Sequence, residues 1–305
     1  MRPAWGVATG ALAVSASAVL IELSGTAPGT ASFYRCLFAL APLAVLARAE
    51  HGGALERAER VRAVLAGALF AGDSLLWTQA IGEIGAGLST VLVNLQVVLV
   101  PVIAWVADRE PVSRRYFAAV ALVLPGVVLA AGVTGGPASL AGTIHASLAA
   151  LCYSGFLHLL RRGGQDGRTR RAYLVVTASA AVVSLAAGFL GYGLDLTPGW
   201  AAIGWLVVVA VCGQVVGWLL VATNTPRLPS AVGAVLLLLT PVGAVVLGAA
   251  VLGERLSPPQ LLGCALVLAG AVLATRSPAA SSPCRSGTPA RGARPRRDSA
   301  GRSAR

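Results

Sequence analysis

The sequence predicts an all-α membrane protein of ten transmembrane helices, arranged as two inverted five-helix repeats. Three observations carry that prediction: an excess of apolar residues, ten apolar runs of membrane-spanning length, and an internal repeat. Hydrophobic residues make up 56% of the 305 positions and charged residues 12%, with a mean hydropathy of +0.76. A soluble domain carries roughly 25% charged residues because its surface must face water. So few charges cannot cover a globule of this size, so the apolar surface must face lipid.

A membrane helix needs roughly 20 apolar residues. By that measure helices are expected at about 4–23, 31–48, 63–82, 86–107, 116–134, 141–160, 172–192, 200–222, 230–251 and 258–275. Pro28, Gly135-Gly136-Pro137, Pro198-Gly199, Pro226 with Pro229, and Pro258-Pro259 punctuate the connections. Ala16-Ser17-Ala18 could pass for a signal-peptidase site, but the segment before it holds only Arg2, and the repeat needs this stretch as its first helix.

Every basic residue other than histidine is an arginine, and the formal net charge is +12. The arginines collect in alternate loops: Arg48 to Arg62, Arg109 to Arg115, Arg161 to Arg171, Arg227, and the tail from Arg276 to Arg305. The loops around Gly25, Glu83, Gly135 and Asp195 have none, and the one after the ninth helix has only Arg255. This alternation is a topology signal, not a nucleic-acid groove, and it puts both termini in the cytoplasm. The expected location is the bacterial inner membrane. After about residue 276 the tail turns to Arg, Ser, Pro and Gly, and it is expected to be disordered and solvated, with lipid headgroups as the alternative partner. No cysteine spacing suggests a disulfide framework or a metal site.

The repeat divides the chain into a first half of 1–135, a second half of 136–275 and a tail of 276–305. Glu254 and Gly270 fall 144 positions after Glu110 and Gly126, Ser257 falls 144 after Ser113, and Ala265–Leu268 repeats Ala121–Leu124. Gln214 and Trp218 fall 141 positions after Asp73 and Trp77. Five helices per half is an odd number, so the second half should be inverted, as in many secondary transporters.

At this point the motifs resemble a known family. Leu228-Pro229-Ser230-Ala231, Leu239-Thr240-Pro241 and Gly253-Glu254-Arg255-Leu256-Ser257, followed by Gln260, Gly263 and Gly270, look like the EamA domain of the drug/metabolite transporter superfamily. The first half carries a weaker copy, with Val97 in place of Pro241 and Arg109-Glu110-Pro111 in place of Gly-Glu-Arg. The resemblance implies a ten-helix bacterial transporter, many of whose relatives export amino acids, metabolites or drugs.

Ionisable and polar groups inside a bilayer are costly, so each is a candidate functional residue. Asp73 stands near the middle of the third helix with Trp77 one turn on. A carboxyl there suits a proton-coupling group or a counter-ion, with interhelical packing as the alternative. Gln214 and Trp218 offer an amide beside an indole in the other half, and the two tryptophans are candidate cavity walls. Asn94, Gln96 and Tyr153 are further candidates. Asn94 and Gln96 are two positions apart, so on a continuous helix at most one faces a cavity squarely. Glu22 and Arg35 are expected to pair across the first loop, with capture of a substrate carboxylate by Arg35 as the rival. Glu110 and Glu254 read as capping or loop-ordering groups rather than coupling groups. Gly6 with Gly10, and Gly213 with Gly217, permit close helix approach.

The expected function is secondary-active export of a small metabolite, amino acid or drug-like solute by alternating access. A lipid flippase on the same scaffold is the nearer alternative. An intramembrane enzyme is disfavoured because Ser154 and His158 share one helix without a nucleophile turn, and a receptor would not need two inverted halves. No nucleotide-binding loop is present. No cofactor or metal is expected; the energy source is a proton gradient acting through Asp73 or the solute gradient alone. The partners are the solute and membrane lipid, and both a monomer and a homodimer fit two complete halves.

Overall fold

Apolar runs separated by Gly, Pro and Arg leave the chain one way to satisfy its backbone away from water, which is to wind each run into a helix. A computed structural model describes residues 3–108, 114–130, 139–161, 167–224, 236–237 and 239–275. Every regular element among these is helical. They are α1 (Pro3–Ser24), α2 (Pro28–Arg48), α3 (Arg57–Ile84), α4 (Ala86–Val93), α5 (Gln96–Asp108), α6 (Arg114–Ala130), α7 (Leu140–Arg161), α8 (Thr169–Ala187), α9 (Trp200–Val208), α10 (Trp218–Asn224), α11 (Leu239–Leu247) and α12 (Pro258–Thr275). After α8 the chain kinks within Gly188–Tyr192, where Gly191 takes φ +136°, while more widely wound π stretches join α9 to α10 over Val209–Gly217 and extend α11 over Gly248–Leu252.

Six described helices are long and apolar enough to cross a membrane: Pro3–Ser24, Pro28–Arg48, Arg57–Ile84, Leu140–Leu160, Thr169–Tyr192 and Trp200–Asn224. The remaining runs form shorter pieces. The run expected over 86–107 is broken at Asn94-Leu95. There Asn94 N–H bonds back to Val91 O at 3.1 Å and Leu95 N–H to Leu92 O at 3.0 Å, a tighter three-residue closure. The Asn94 side chain stabilises the break by donating Nδ2–H to Thr90 O at 2.8 Å. Glu110, Arg227, the Leu228–Ala231 motif and the arginine-rich tail lie outside the described residues.

The packing respects the repeat. Helix α3 lies on α7, just as α1 lies on the α9–α10 rod; α4 and α5 lie on α7, just as α11 lies on α1; α3 lies on α8, just as α2 lies on the π stretch before α10. Helix α2 packs on α8 and α6 on α12, so these two pairs map onto themselves when the halves are exchanged. Gly126 of α6 lies against Gly263 and Val267 of α12, and Val123 and Val267, 144 positions apart, are both buried.

The seam between α1 and the α9–α10 rod is set by glycine. A Cβ on Gly10 would stand 2.8 Å from Gly217 O, and one on Gly217 would stand 2.7 Å from Val14 Cγ2. Gly213 abuts Ser17, and Gly6 abuts Asn224. The two small-residue pairs therefore pack against each other, which lets the backbones approach without a layer of side chains.

Polar contacts tie the ends of the bundle. Glu50 accepts hydrogen bonds from the Arg170 and Arg171 backbone N–H groups, both at 3.0 Å, at the start of α8. Tyr34 donates its hydroxyl to Leu196 O at 2.7 Å at the other end of the α2–α8 pair. Glu83 meets His145 Nδ1 at 2.8 Å and accepts from Gln79 Nε2 at 2.9 Å. Its equivalent in the second half, Asn224, turns back on its own helix, donating to Leu220 O at 2.8 Å beside Gly6.

Glu254 does cap a helix, on an element far away in sequence. Its Oε1 accepts from Ala86 N–H at 2.6 Å and its Oε2 from Gly87 N–H at 3.0 Å, at the start of α4. These are among the N–H groups that an α-helix leaves without an internal partner, and a carboxylate there also opposes the helix dipole. Removing the carboxylate in Glu254→Ala is expected to cost about 1–3 kcal/mol, read as a lower midpoint in detergent unfolding. Glu254→Gln, which keeps one acceptor, should recover part of that loss, and a midpoint equal to wild type for the alanine variant would refute the capping role.

Candidate functional site

An interior cavity lies where the two halves meet. In the first half its wall takes Val14 and Ser17 from α1, Arg35 from α2, Phe70, Asp73 and Trp77 from α3, Thr90 and Val93 from α4, Asn94 at the break, and Gln96 from α5. The second half gives Tyr153 from α7, Trp218 from α10, Leu237, and Thr240 from α11. The cavity has room for about 50 Å³ of water.

Helical spacing explains most of this wall. Phe70, Asp73 and Trp77 sit at i, i+3 and i+7 on one stripe of α3, and Val14 with Ser17 repeats that spacing on α1. The repeat explains more: Val93 and Gln96 are matched 144 positions later by Leu237 and Thr240, all four on the wall. Trp77 and Trp218, 141 positions apart, are both on it as well.

The aromatic side chains form a continuous surface. Trp218 meets Phe156, Tyr153 and Phe70 edge-on, with centroids 5.5, 5.6 and 6.2 Å apart, and Phe70 meets Phe156 at 5.1 Å. Edge-to-face contacts of this kind hold rings in place beyond what their burial supplies. Trp77 is fixed separately, donating Nε1–H to Thr90 Oγ1 at 3.3 Å.

Two charged groups share the wall without pairing. Asp73 is 8% exposed, and among the described residues its carboxylate makes no hydrogen bond or ion pair. Arg35 is 3% exposed. It donates from Nη2 to Gln214 Oε1 at 3.0 Å and, at the long distance of 3.4 Å, from Nη1 to Ser74 Oγ. Its guanidinium carbon lies 5.4 Å from the Phe70 ring centre and 5.9 Å from that of Trp77, within cation–π range. Arg35 Nε and Ser17 Oγ are buried without an acceptor or donor.

Several expectations from the sequence change here. The Glu22–Arg35 ion pair does not form. Glu22 is exposed near the end of α1, while Arg35 turns inward to Gln214 and Ser74, because its position on α2 faces α3 and the α9–α10 rod rather than the loop. Asn94 and Gln96 both reach the cavity, since the break between α4 and α5 resets the helical phase between them. Gln214 stands behind the wall, fully buried, receiving Arg35 on its oxygen and donating Nε2–H to Tyr173 Oη at 2.7 Å. Asp73, Trp77, Tyr153 and Trp218 stand on the wall itself. Sequence reasoning missed Ser17, Phe70, Thr90, Leu237 and Thr240. Helical spacing from Asp73 points to Phe70, and the 144-residue offset from Gln96 points to Thr240.

An all-helical bundle of two repeats, with unpaired charges and aromatic rings facing a shared interior cavity, has the construction of a membrane solute carrier. The EamA-like transporter family matches the chain twice, over residues 2–132 and 140–276. The chain belongs to that family, within the drug/metabolite transporter superfamily, and is a multi-pass membrane protein. One solved crystal structure, described only as that of a protein, is similar over 90% of this chain and 97% of its own, with a TM-score of 0.64 and 17% identity, which shows a shared fold. No curated protein matches the sequence.

Proposed function

We propose that this transporter is a secondary-active exporter that moves a small solute outward across the bacterial inner membrane by alternating access. The observation that carries the reading is the cavity built jointly by both halves, with Asp73 on its wall and unpaired. Two halves of five helices each are inverted relative to each other, and exchanging their conformations turns a cavity open to one side into one open to the other. The arginine distribution supports cytoplasmic N- and C-termini. Asp73 is the proton-coupling group: a carboxyl without a fixed partner is free to gain and lose a proton as the cavity changes sides.

The test is untargeted mass spectrometry of culture medium from cells expressing wild type, Asp73→Asn or an empty vector, at equal membrane expression. The expected result is a metabolite enriched above its intracellular level by wild type, reaching no more than that level with Asp73→Asn, and absent from the empty-vector medium. Identical media from all three strains would refute export under native metabolism.

A further inference from the structure

We propose that Arg35 is the specificity-determining residue of the cavity and that the transported solute carries a carboxylate, which the guanidinium receives. The inference rests on the transporter reading and names the substrate class of the same site.

Arginine keeps its charge in any protein environment. At 3% exposure Arg35 has lost nearly all its water, yet both of its hydrogen-bond partners, Gln214 Oε1 and Ser74 Oγ, are neutral. A guanidinium has five N–H donors, and two contacts leave most of them unused; the buried Nε–H has no acceptor at all. Asp73 shares the wall and acts on Arg35 through space, but the two form no ion pair. A buried cation with neutral ligands, an orphaned donor and a cavity in front of it lacks a bidentate anionic acceptor. A carboxylate supplies two coplanar oxygens matched to the guanidinium fork. In a water-poor cavity the attraction is larger than at a surface.

Gln214 has a definite part in this scheme. Its oxygen is a neutral acceptor that orients the guanidinium, held in turn by Tyr173, and a carboxylate competes with it on favourable terms because charge-assisted bonds are stronger than neutral ones. The solute's other end meets Trp77, Trp218, Tyr153 and Phe70. The assigned class is therefore an organic carboxylate with an apolar or ring-bearing body.

The test uses the full-length protein in lipid nanodiscs, with quenching of tryptophan fluorescence as the readout, because Trp77 and Trp218 line the cavity. Three probes share one ring and differ in charge: phenylacetate, phenethylamine and phenylalanine. Phenylacetate and phenylalanine are expected to bind wild type saturably, and phenethylamine about tenfold more weakly or not at all. Arg35→Gln should weaken phenylacetate by about tenfold to a hundredfold, the range for a hydrogen-bonded charge. Gln214→Glu keeps Arg35 but gives it an internal carboxylate, and should weaken phenylacetate by at least tenfold with the guanidinium intact. Gel filtration of both variants checks that they fold. Preferential binding of phenethylamine, unchanged phenylacetate affinity in the folded variants, or no binding of either carboxylate would overturn the assignment. An exported metabolite without an acid group would overturn it too, while leaving the transporter reading in place.

Discussion

Asp73→Asn is expected to abolish uphill export while leaving downhill exchange of the same solute. The substitution keeps the shape of the side chain and removes its ability to change charge, so it separates proton coupling from binding. One proton crossing a pH gradient of one unit supplies about 1.4 kcal/mol, which corresponds to about tenfold accumulation. In proteoliposomes with an imposed pH gradient, wild type should reach accumulation of that order, and Asp73→Asn should stop when the two sides are equal. Counterflow of labelled solute, which needs no gradient, should persist in the variant. Uphill transport at the wild-type level would remove Asp73 from the coupling mechanism, and loss of counterflow as well would assign it to binding.

Gly217→Leu should have the largest effect on folding. The seam between α1 and the α9–α10 rod leaves no room for a side chain at this position: a Cβ would already stand 2.7 Å from Val14 Cγ2 and 3.1 Å from Cys212 O. Overpacking of a tight core costs about 1–3 kcal/mol, and here it meets backbone as well as side chain, so the upper end of that range is expected. The measure is the fraction of purified protein that remains monodisperse across a denaturant series. Gly204→Leu is the matched control, since Gly204 is exposed on α9 with open space around it, and it should behave as wild type. Equal behaviour of the two variants would disprove the seam as a packing constraint.

Much of the architecture was legible because its causes are local or repeated. Apolar run length located the helical segments, and the offset of 141 residues paired Trp77 with Trp218. The break at Asn94-Leu95 was not legible, because a run of apolar residues on both sides favours a continuous helix. What interrupts it is one amide side chain bonding back to Thr90 O, together with Glu254 anchoring the start of α4 from another part of the chain. The direction of Arg35 was hidden for a related reason. Glu22 is close in sequence and of opposite charge, whereas the groups that Arg35 reaches, Ser74 and Gln214, lie 39 and 179 positions away. Each glycine pair could be seen alone, but only the fold shows that they face one another.

The unequal treatment of Glu83 and Asn224 bears on how the molecule rests between cycles. Built from two identical copies of one part, such a machine would divide its time evenly between two postures related by a half-turn, since each would be the other turned over. Here one end is clasped by a carboxylate and an imidazole, while the corresponding end has an amide folded onto its own helix beside a bare glycine. In the proposed cycle, opening the first end would break a polar clasp, whereas at the second end, among the described residues, Asn224 bonds only within its own helix and packs on Gly6. Under the proposed alternating-access cycle, the idle molecule would therefore lean to one side, and the return stroke would be uphill or downhill by the difference between those two closures.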